Sequence, residues 1–201
     1  MIKNIIFDIG NVLTDFRWRG FLEDKGFGDA KIKELEEATV LSPHWNEFDR
    51  GVMTFDEVMG LFESENPALK SDLHKAYDDI HGMVTKRDFA ISWIKSLKEA
   101  GYSVYYLSNF SEKASEECAD SIDFIPYCDG GILSFRERLI KPDEKIYALL
   151  CDRYSLNPSE CVFIDDTEKN VAAGVKYGMK GIIYTSFEET NEALRKMGVK
   201  I

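Results

Sequence analysis

Four short polar signatures occur along this chain, each beside a strand-like apolar run or a predicted helix. They are Asp8-Ile9-Gly10-Asn11 after IIF, Ser108-Asn109 after VYYL, Lys141-Pro142-Asp143 before a helix, and Asp165-Asp166 after CVFI. Ligands of open α/β sheets bind at the carboxyl ends of the strands, so signatures that follow separate strands can converge in space. The pattern therefore predicts a single site at the carboxyl edge of a parallel sheet.

Hydrophobic periodicity divides the chain into three parts. Residues 2–7 (IKNIIF) predict a short buried strand, whereas residues from about 16 to 85 show helical periodicity and no convincing strand. From Lys86 onward, strand-like runs alternate with helical patterns, which is typical of a parallel sheet covered by helices on both faces. The sequence thus predicts an α/β fold. Its doubly wound, Rossmann-like core comprises residues 1–15 and 86–201, and an all-helical cap of residues 16–85 is inserted after the first strand.

Local signals predict where several helices begin and end. Ser111 is placed to cap a helix of residues 111–121, and Asp143 is placed to cap another that runs to about Tyr154. Gly101 and Gly178 are expected to end two further helices. A last strand, GIIY, and a last helix at 188–197 complete the predicted core.

The charge balance limits the possible partners. The 201 residues include 36 Asp and Glu but only 25 Lys and Arg, a net charge of −11, which argues against general affinity for nucleic acid or anionic membrane. No apolar stretch approaches the roughly 18 residues of a membrane span. The apolar run in MIKNIIFD is too short for a signal peptide, so we expect a cytoplasmic protein.

Carboxylates are the expected metal ligands. The four cysteines and three histidines are scattered, without the spacing of a zinc site, which predicts packed, reduced thiols. Oxygen ligands favour Mg²⁺ over zinc. Asp165 and Asp166 follow a buried strand side by side, and because their charges repel each other a cation nearby is expected.

The same residues suggest phosphoryl chemistry, although each also has a purely structural interpretation. Asp8 is placed to attack phosphorus as a nucleophile, or it merely begins a turn. Ser108 and Asn109 offer a hydroxyl and an amide to phosphoryl oxygens, or they form a strand-to-helix turn. Lys141 would neutralise the charge on a transferring phosphoryl group, or it is solvated.

The ordered motifs resemble those of the haloacid dehalogenase-like hydrolase superfamily. The matching segments are FDIGNVL (7–13), LSN (107–109), KPD (141–143) and IDD (164–166). The resemblance implies that Asp8 is the nucleophile and that Asp8, the backbone carbonyl of Gly10 and Asp165 hold Mg²⁺, with Asp166 in the outer shell of the metal. It also implies that Ser108 and Lys141 bind the phosphoryl group. The insert between the first two motifs lies where this superfamily carries its type I cap.

One residue departs from the pattern. Most phosphatases of this superfamily carry a second Asp, a general acid and base, two residues after the nucleophile, where this chain has Gly10. A general acid contributes typically 10²–10⁴-fold to the rate, so its loss requires an easy leaving group or another donor. The F-D-x-G-N-V start and W-N-E-F-D-R-G (45–51) are similar to a bacterial branch typified by an α-glucose-1-phosphate phosphatase. Arg50 is the cap residue expected to touch substrate, whereas Trp45 and Phe48 are expected to pack in the cap.

The sequence therefore predicts a Mg²⁺-dependent phosphatase that hydrolyses a small phosphorylated metabolite, with a sugar phosphate as the expected class, through an aspartyl-phosphate on Asp8. Two alternatives stay open. One is a non-catalytic binder of phosphorylated ligands, and the other is a metal-independent dehalogenase of small halo-acids.

Overall fold

A five-stranded parallel sheet forms the centre of the molecule. The computed structural model describes residues 1–201. The strands of the chain are β1 (Asn4–Phe7), β2 (Thr14–Phe16), β3 (Val84–Lys86), β4 (Ser103–Ser108), β5 (Gly130–Leu133), β6 (Cys161–Asp165) and β7 (Lys180–Ile183). The central sheet has the order β5-β4-β1-β6-β7, and all four of its pairings are parallel. Strand β1 thus lies in the middle, between β4 and β6.

Eleven α-helices accompany the strands. They are α1 (Trp18–Asp24), α2 (Asp29–Ala38), α3 (Trp45–Arg50), α4 (Phe55–Glu65), α5 (Lys70–Tyr77), α6 (Ala90–Glu99), α7 (Glu112–Glu117), α8 (Ser134–Glu137), α9 (Glu144–Tyr154), α10 (Glu168–Tyr177) and α11 (Phe187–Lys196). Short 3₁₀ turns occur at Pro67–Leu69, Ala119–Ile122, Ile125–Tyr127 and Pro158–Glu160. No helix is both long and apolar enough to cross a lipid bilayer.

Helices cover both faces of the sheet, as predicted. Side chains alternate between the faces of a strand, so neighbouring residues of β1 belong to different apolar clusters. Ile5 and Phe7 pack in the cluster that contains Trp93 of α6, whereas Ile6 packs with Tyr147 of α9 on the opposite face. All of these side chains are almost fully buried. The doubly wound α/β architecture is confirmed.

The helical segment, which we define as α1 to α5 (residues 18–77), lies between β2 and β3. These two strands form an antiparallel ribbon in which Thr14 pairs with Lys86 and Phe16 with Val84. The sequence predicted no strand between about 16 and 85, and three residues are too few to show a period of two. The ribbon brings the two ends of the helical segment together above the sheet.

Most predicted element ends agree with the structure. The side chain of Ser111 accepts a hydrogen bond from the backbone N–H of Ala114, and that of Asp143 accepts one from Lys145. Helix α10 ends at Gly178, whose φ of 109° suits glycine. Helix α7 is shorter than predicted, because the chain turns into a 3₁₀ helix after Cys118.

Strand β5 was not predicted. It begins with Gly130 and Gly131, which have low intrinsic preference for strands. A Cβ atom at Gly131 would lie only 2.4 Å from the ring of Tyr106 on β4. The glycine is therefore required by the close approach of an aromatic ring, a tertiary contact that no local pattern shows.

Candidate active site

The predicted site residues of the core meet at the carboxyl edge of the three central strands. Asp8 follows β1, Ser108 ends β4 and Asp165 ends β6. The backbone N–H of Asp8 continues the ladder by donating to the carbonyl oxygen of Ile164 at 2.8 Å. Because β1 lies between β4 and β6, the topology brings these three separated segments together.

Lys141 joins the two central acids. Its Nζ atom lies 2.8 Å from Oδ1 of Asp8 and 2.6 Å from Oδ2 of Asp165. The relative exposure is 7% for Asp8, 2% for Lys141 and 0% for Asp165. This degree of burial makes the solvated-lysine interpretation wrong for Lys141, since a buried ammonium needs charged partners.

Asn109 positions the loop that carries Lys141. Its side-chain Oδ1 accepts a hydrogen bond from the backbone N–H of Lys141 at 2.7 Å, and its Nδ2 donates to the carbonyl oxygen of Lys141 at 3.1 Å. The amide that was expected to face a phosphoryl group is thus engaged with the backbone. Ser108 is 1% exposed, and its hydroxyl lies 3.4 Å from the carbonyl oxygen of Asn109.

The buried charges perturb one another. Burial raises the pKa of the Asp8 carboxyl to about 7, although Lys141 opposes this shift. Burial alone would lower the pKa of Lys141, but Asp8 and Asp165 together raise it above its usual value. Lys141 therefore stays protonated, and its charge favours the ionised form of the acid beside it.

Two asparagines to which the sequence analysis gave no role of their own orient the paired acids. Asn170 on α10 donates to both carboxylate oxygens of Asp165, at 3.2 and 3.1 Å, and the backbone N–H of Thr167 donates to Oδ1 at 2.8 Å. Asn11 donates to Oδ2 of Asp166 at 2.9 Å and accepts from the backbone N–H of Phe16 at 3.1 Å. Asn11 was visible within the first motif, whereas Asn170 had no local signal.

The donor set fits Mg²⁺. Carboxylate oxygens of Asp8, Asp165 and Asp166 lie within 4.8 Å of one another. Three carboxylates and the single ammonium of Lys141 leave two negative charges in the cluster, which a divalent cation would balance. The buried Oδ1 of Asn170 also has no hydrogen-bond partner. Hard oxygen donors of this kind suit Mg²⁺ better than a thiophilic metal.

A cavity of about 290 Å³ opens above the acids. Asp8, Gly10, Lys141 and Asp166 line its polar floor. The aromatic wall, as we call the apolar part of the lining, consists of Phe16, Trp45, Phe48, Phe55 and Tyr77. The rings also pack on one another, with Trp45 centred 5.5 Å from Phe48 and 5.9 Å from Tyr77. Trp45 and Phe48 therefore pack in the helical segment, as expected, and line the cavity as well.

Helix α3 presents Asp49, rather than Arg50, to the cavity. Asp49 lines it, and burial raises the pKa of this carboxyl to about 7, with Lys141 opposing the shift and Asp8 adding to it. Arg50 is not among the lining residues, and its Nε lies 3.3 Å from Oε1 of Glu47 on the same helix. Successive helical residues point about 100° apart, which turns Arg50 away from the direction of Asp49. The structure does not bring Arg50 to the substrate space where the sequence analysis placed it.

Comparison with known proteins identifies the family of this chain. Residues 2–178 match the family model of the haloacid dehalogenase-like hydrolases. The sesquiterpene phosphatase astK of Aspergillus oryzae is 26% identical over 97% of this chain and 96% of its own length. The D-ribitol-5-phosphate phosphatase of Bacteroides thetaiotaomicron is 26% identical over 90% of each chain.

A solved structure shares the fold. It is a haloacid dehalogenase family enzyme of Bacteroides thetaiotaomicron, determined in complex with magnesium and inorganic phosphate. It superposes with a TM-score of 0.75, at 20% sequence identity, over 97% of this chain and all of that one. The similarity extends over the helical segment as well as the sheet.

Proposed function

Since this chain belongs to the haloacid dehalogenase-like hydrolase family, we propose that it is a Mg²⁺-dependent phosphatase of a small phosphorylated metabolite. The observation that carries the proposal is the buried cluster in which Lys141 bridges Asp8 and Asp165 beside Asp166. Two curated relatives that match over at least nine-tenths of this chain and of their own length are named as phosphatases.

In the proposed reaction, Asp8 is the nucleophile. Its carboxylate attacks phosphorus, the ester bond to the leaving oxygen breaks, and water then hydrolyses the aspartyl-phosphate. Lys141 lies against Asp8 and would neutralise charge on the transferring phosphoryl oxygens. Ser108 would contact the phosphoryl group, and Asn109 would hold the Lys141 loop in register.

Asp8, Asp165 and the backbone carbonyl of Gly10 would hold Mg²⁺, and Asp166 would act from the outer shell. When bound, the ion supplies a Lewis acid that neutralises charge on the phosphoryl oxygens. Asn170 and Thr167 fix the orientation of Asp165 through three hydrogen bonds, so this ligand would be preorganised before the ion arrives.

We also propose that residues 16–85 are a cap that selects the substrate over a core of residues 1–15 and 86–201. The aromatic wall supports this division. All five of its side chains come from residues 16–77, while the residues of the polar floor lie in loops of the core. A cavity with two such sides binds a phosphate at one end and a less polar group at the other.

Sugar phosphates are the first substrate class to test, since a relative acts on D-ribitol 5-phosphate. The aromatic wall favours a second class, phosphate esters of apolar alcohols, because its rings offer few hydrogen-bonding groups to a polyol. Another relative is a sesquiterpene phosphatase. A panel that pairs polyol with prenyl monophosphates distinguishes these classes through kcat/KM.

The decisive test is hydrolysis of p-nitrophenyl phosphate and of this panel with Mg²⁺ and with chelator. We expect hydrolysis only with Mg²⁺, and loss of at least 10³-fold in Asp8→Asn, because an amide is a poor nucleophile. The variant should fold, since an amide oxygen can still accept the 2.7 Å hydrogen bond from the backbone of Ile9.

Two results would contradict the proposal. Turnover by Asp8→Asn within tenfold of the wild type would remove Asp8 from the nucleophile role. Undetectable hydrolysis of the whole panel would favour a binder of phosphorylated ligands, and halide release from a halo-acid that is insensitive to chelator would favour a dehalogenase. Asp56→Asn is the matched control, because Asp56 is an exposed acid outside the cavity.

A further inference from the structure

Position 10 leaves the reaction without a proton donor at the place where the family pattern would supply one. Gly10 lines the cavity floor, and a Cβ atom built on it would meet no other atom within 4 Å. The space that a second carboxyl would occupy is therefore open. A phosphate ester with a poor leaving group still needs a proton on the departing oxygen.

Asp49 is the acidic side chain that α3 directs into this cavity. It shares the cavity with Asp8, Gly10 and Lys141, and it belongs to the helical segment rather than to the core. Its carboxyl forms no hydrogen bond and no ion pair, and burial acts to disfavour its charged form. A partly buried acid with no structural partner is available for chemistry.

The backbone around Asp49 is tied to the sheet. The carbonyl oxygen of Asp49 accepts a hydrogen bond from the hydroxyl of Ser134, which in turn accepts one from the backbone N–H of Phe110 at 2.9 Å. Phe110 lies two residues beyond Ser108, at the end of β4. The serine thus joins α3 to the edge of the sheet that carries the phosphate-binding residues.

Gly51 allows α3 to dock this closely. It has a φ of 67°, and a Cβ atom there would lie 2.4 Å from the carbonyl oxygen of Phe135 on α8. The end of α3 therefore rests directly on the backbone of the core, two residues after Asp49.

Building on the proposed phosphatase function, we propose that Asp49 is the catalytic acid that replaces the carboxyl missing at position 10. As Asp8 bonds to phosphorus and the ester bond breaks, the Asp49 carboxyl gives its proton to the leaving oxygen, which departs as an alcohol. The Asp49 carboxylate then accepts a proton from the water that attacks the aspartyl-phosphate. This second step releases inorganic phosphate, restores the Asp8 carboxylate and leaves Asp49 protonated.

Other acids of the segment are less suited. Asp15 is bound to Arg87 and does not line the cavity. Glu47, on the same helix as Asp49, pairs with Arg50 and also lies outside the cavity lining. Among the carboxyls that line the cavity, Asp8 and Asp166 belong to the metal cluster, which leaves Asp49.

The test is the dependence of kcat/KM on the leaving group across a series of aryl phosphates, from p-nitrophenyl to p-methoxyphenyl phosphate, with Mg²⁺. The kcat/KM value reports formation of the aspartyl-phosphate and not its hydrolysis. We expect Asp49→Asn to lose less than about tenfold on the nitrophenyl ester but about 10²-fold or more on the methoxyphenyl ester. Asp56→Asn should match the wild type across the series.

The double variant Gly10→Asp/Asp49→Asn should depend less steeply on the leaving group than Asp49→Asn does. The open space at position 10 accepts a carboxyl, which can then supply the proton. If kcat/KM depends equally steeply on the leaving group in an active wild type and in Asp49→Asn, Asp49 is not the catalytic acid. The proposed phosphatase function would remain intact. A wild type that hydrolyses no member of the series would overturn the proposed function and this assignment with it. Thermal unfolding of each variant shows whether a loss of rate reflects loss of fold.

Discussion

The carboxylate of Asp15 is held by the guanidinium of Arg87, with Oδ1 lying 2.7 Å from Nη2 and 2.8 Å from Nε. Arg87 also donates to the phenolic oxygen of Tyr184 at 2.8 Å. The contact links β2 to the residue that follows β3, at the base of the helical segment. Asp15 therefore serves as a hydrogen-bond acceptor for Arg87. It also lies outside the cavity lining, away from the space where substrate would bind.

Asp15→Asn should therefore leave the chemistry unchanged. We expect kcat/KM within about twofold of the wild type for both good and poor leaving groups, and a loss of stability of about 0–1 kcal/mol because the ion pair is half exposed. Steady-state kinetics on the aryl phosphate series and a urea titration measure the two effects. A selective loss on poor leaving groups would instead make Asp15 the proton donor.

Asp165→Ala should act through the metal. The substitution removes one of few protein oxygens available to a hard cation, so the Mg²⁺ concentration for half-maximal activity should rise at least tenfold and the maximal rate should fall. Asp166→Asn is the comparison, and its effect should be smaller because Asp166 is assigned to the outer shell. An unchanged Mg²⁺ titration in Asp165→Ala would reduce Asp165 to the capping contact with Thr167.

Local sequence patterns were sufficient to predict the core of this fold. They were not sufficient to predict the residues that α10 and α3 contribute to the site. Asp8, Ser108 and Asp165 each end a buried strand, and parallel pairing of β1 with β4 and β6 brings them together without further information. Asn170 and Asp49 join the site only through tertiary packing of α10 and α3. The segment WNEFDRG did draw attention to the right helix, but choosing Asp49 over Arg50 required knowing which face of α3 meets the cavity.

Lys141→Met should destabilise the protein when Mg²⁺ is absent. Without the ammonium, the carboxylates of Asp8 and Asp165 would be buried together without a counterion, which costs about 3–5 kcal/mol at pH 8. Saturating Mg²⁺ should recover part of this loss, since the ion would balance the same charges. Thermal unfolding with chelator and with Mg²⁺ measures both effects.

Lys145→Met is the matched control for this substitution, because Lys145 is exposed on α9 and its loss should change stability by less than about 0.5 kcal/mol. Equal stability of Lys141→Met and the wild type in chelator at pH 8 would show that the buried acids do not depend on this lysine.

Asp49→Asn should stabilise the fold above neutral pH. Burial raises the pKa of Asp49 from 3.8 to about 7, so the folded state binds a proton more tightly than the unfolded state does. Well below pH 4 both states are protonated and the acid costs nothing. As the pH rises from 4 to about 7, the unfolded state ionises first, and the wild type loses stability relative to the uncharged amide.

The difference should reach about 1–3 kcal/mol in favour of Asp49→Asn at pH 8 and fade towards pH 4. Urea denaturation from pH 4 to pH 8, in chelator, measures it, with Asp56→Asn as the exposed control that should show no such trend. Combined with slower turnover of poor leaving groups, a more stable variant would mean that the protein keeps a destabilising acid at position 49 for its chemistry. A variant that is less stable at pH 8 would instead give the Asp49 carboxylate a structural role.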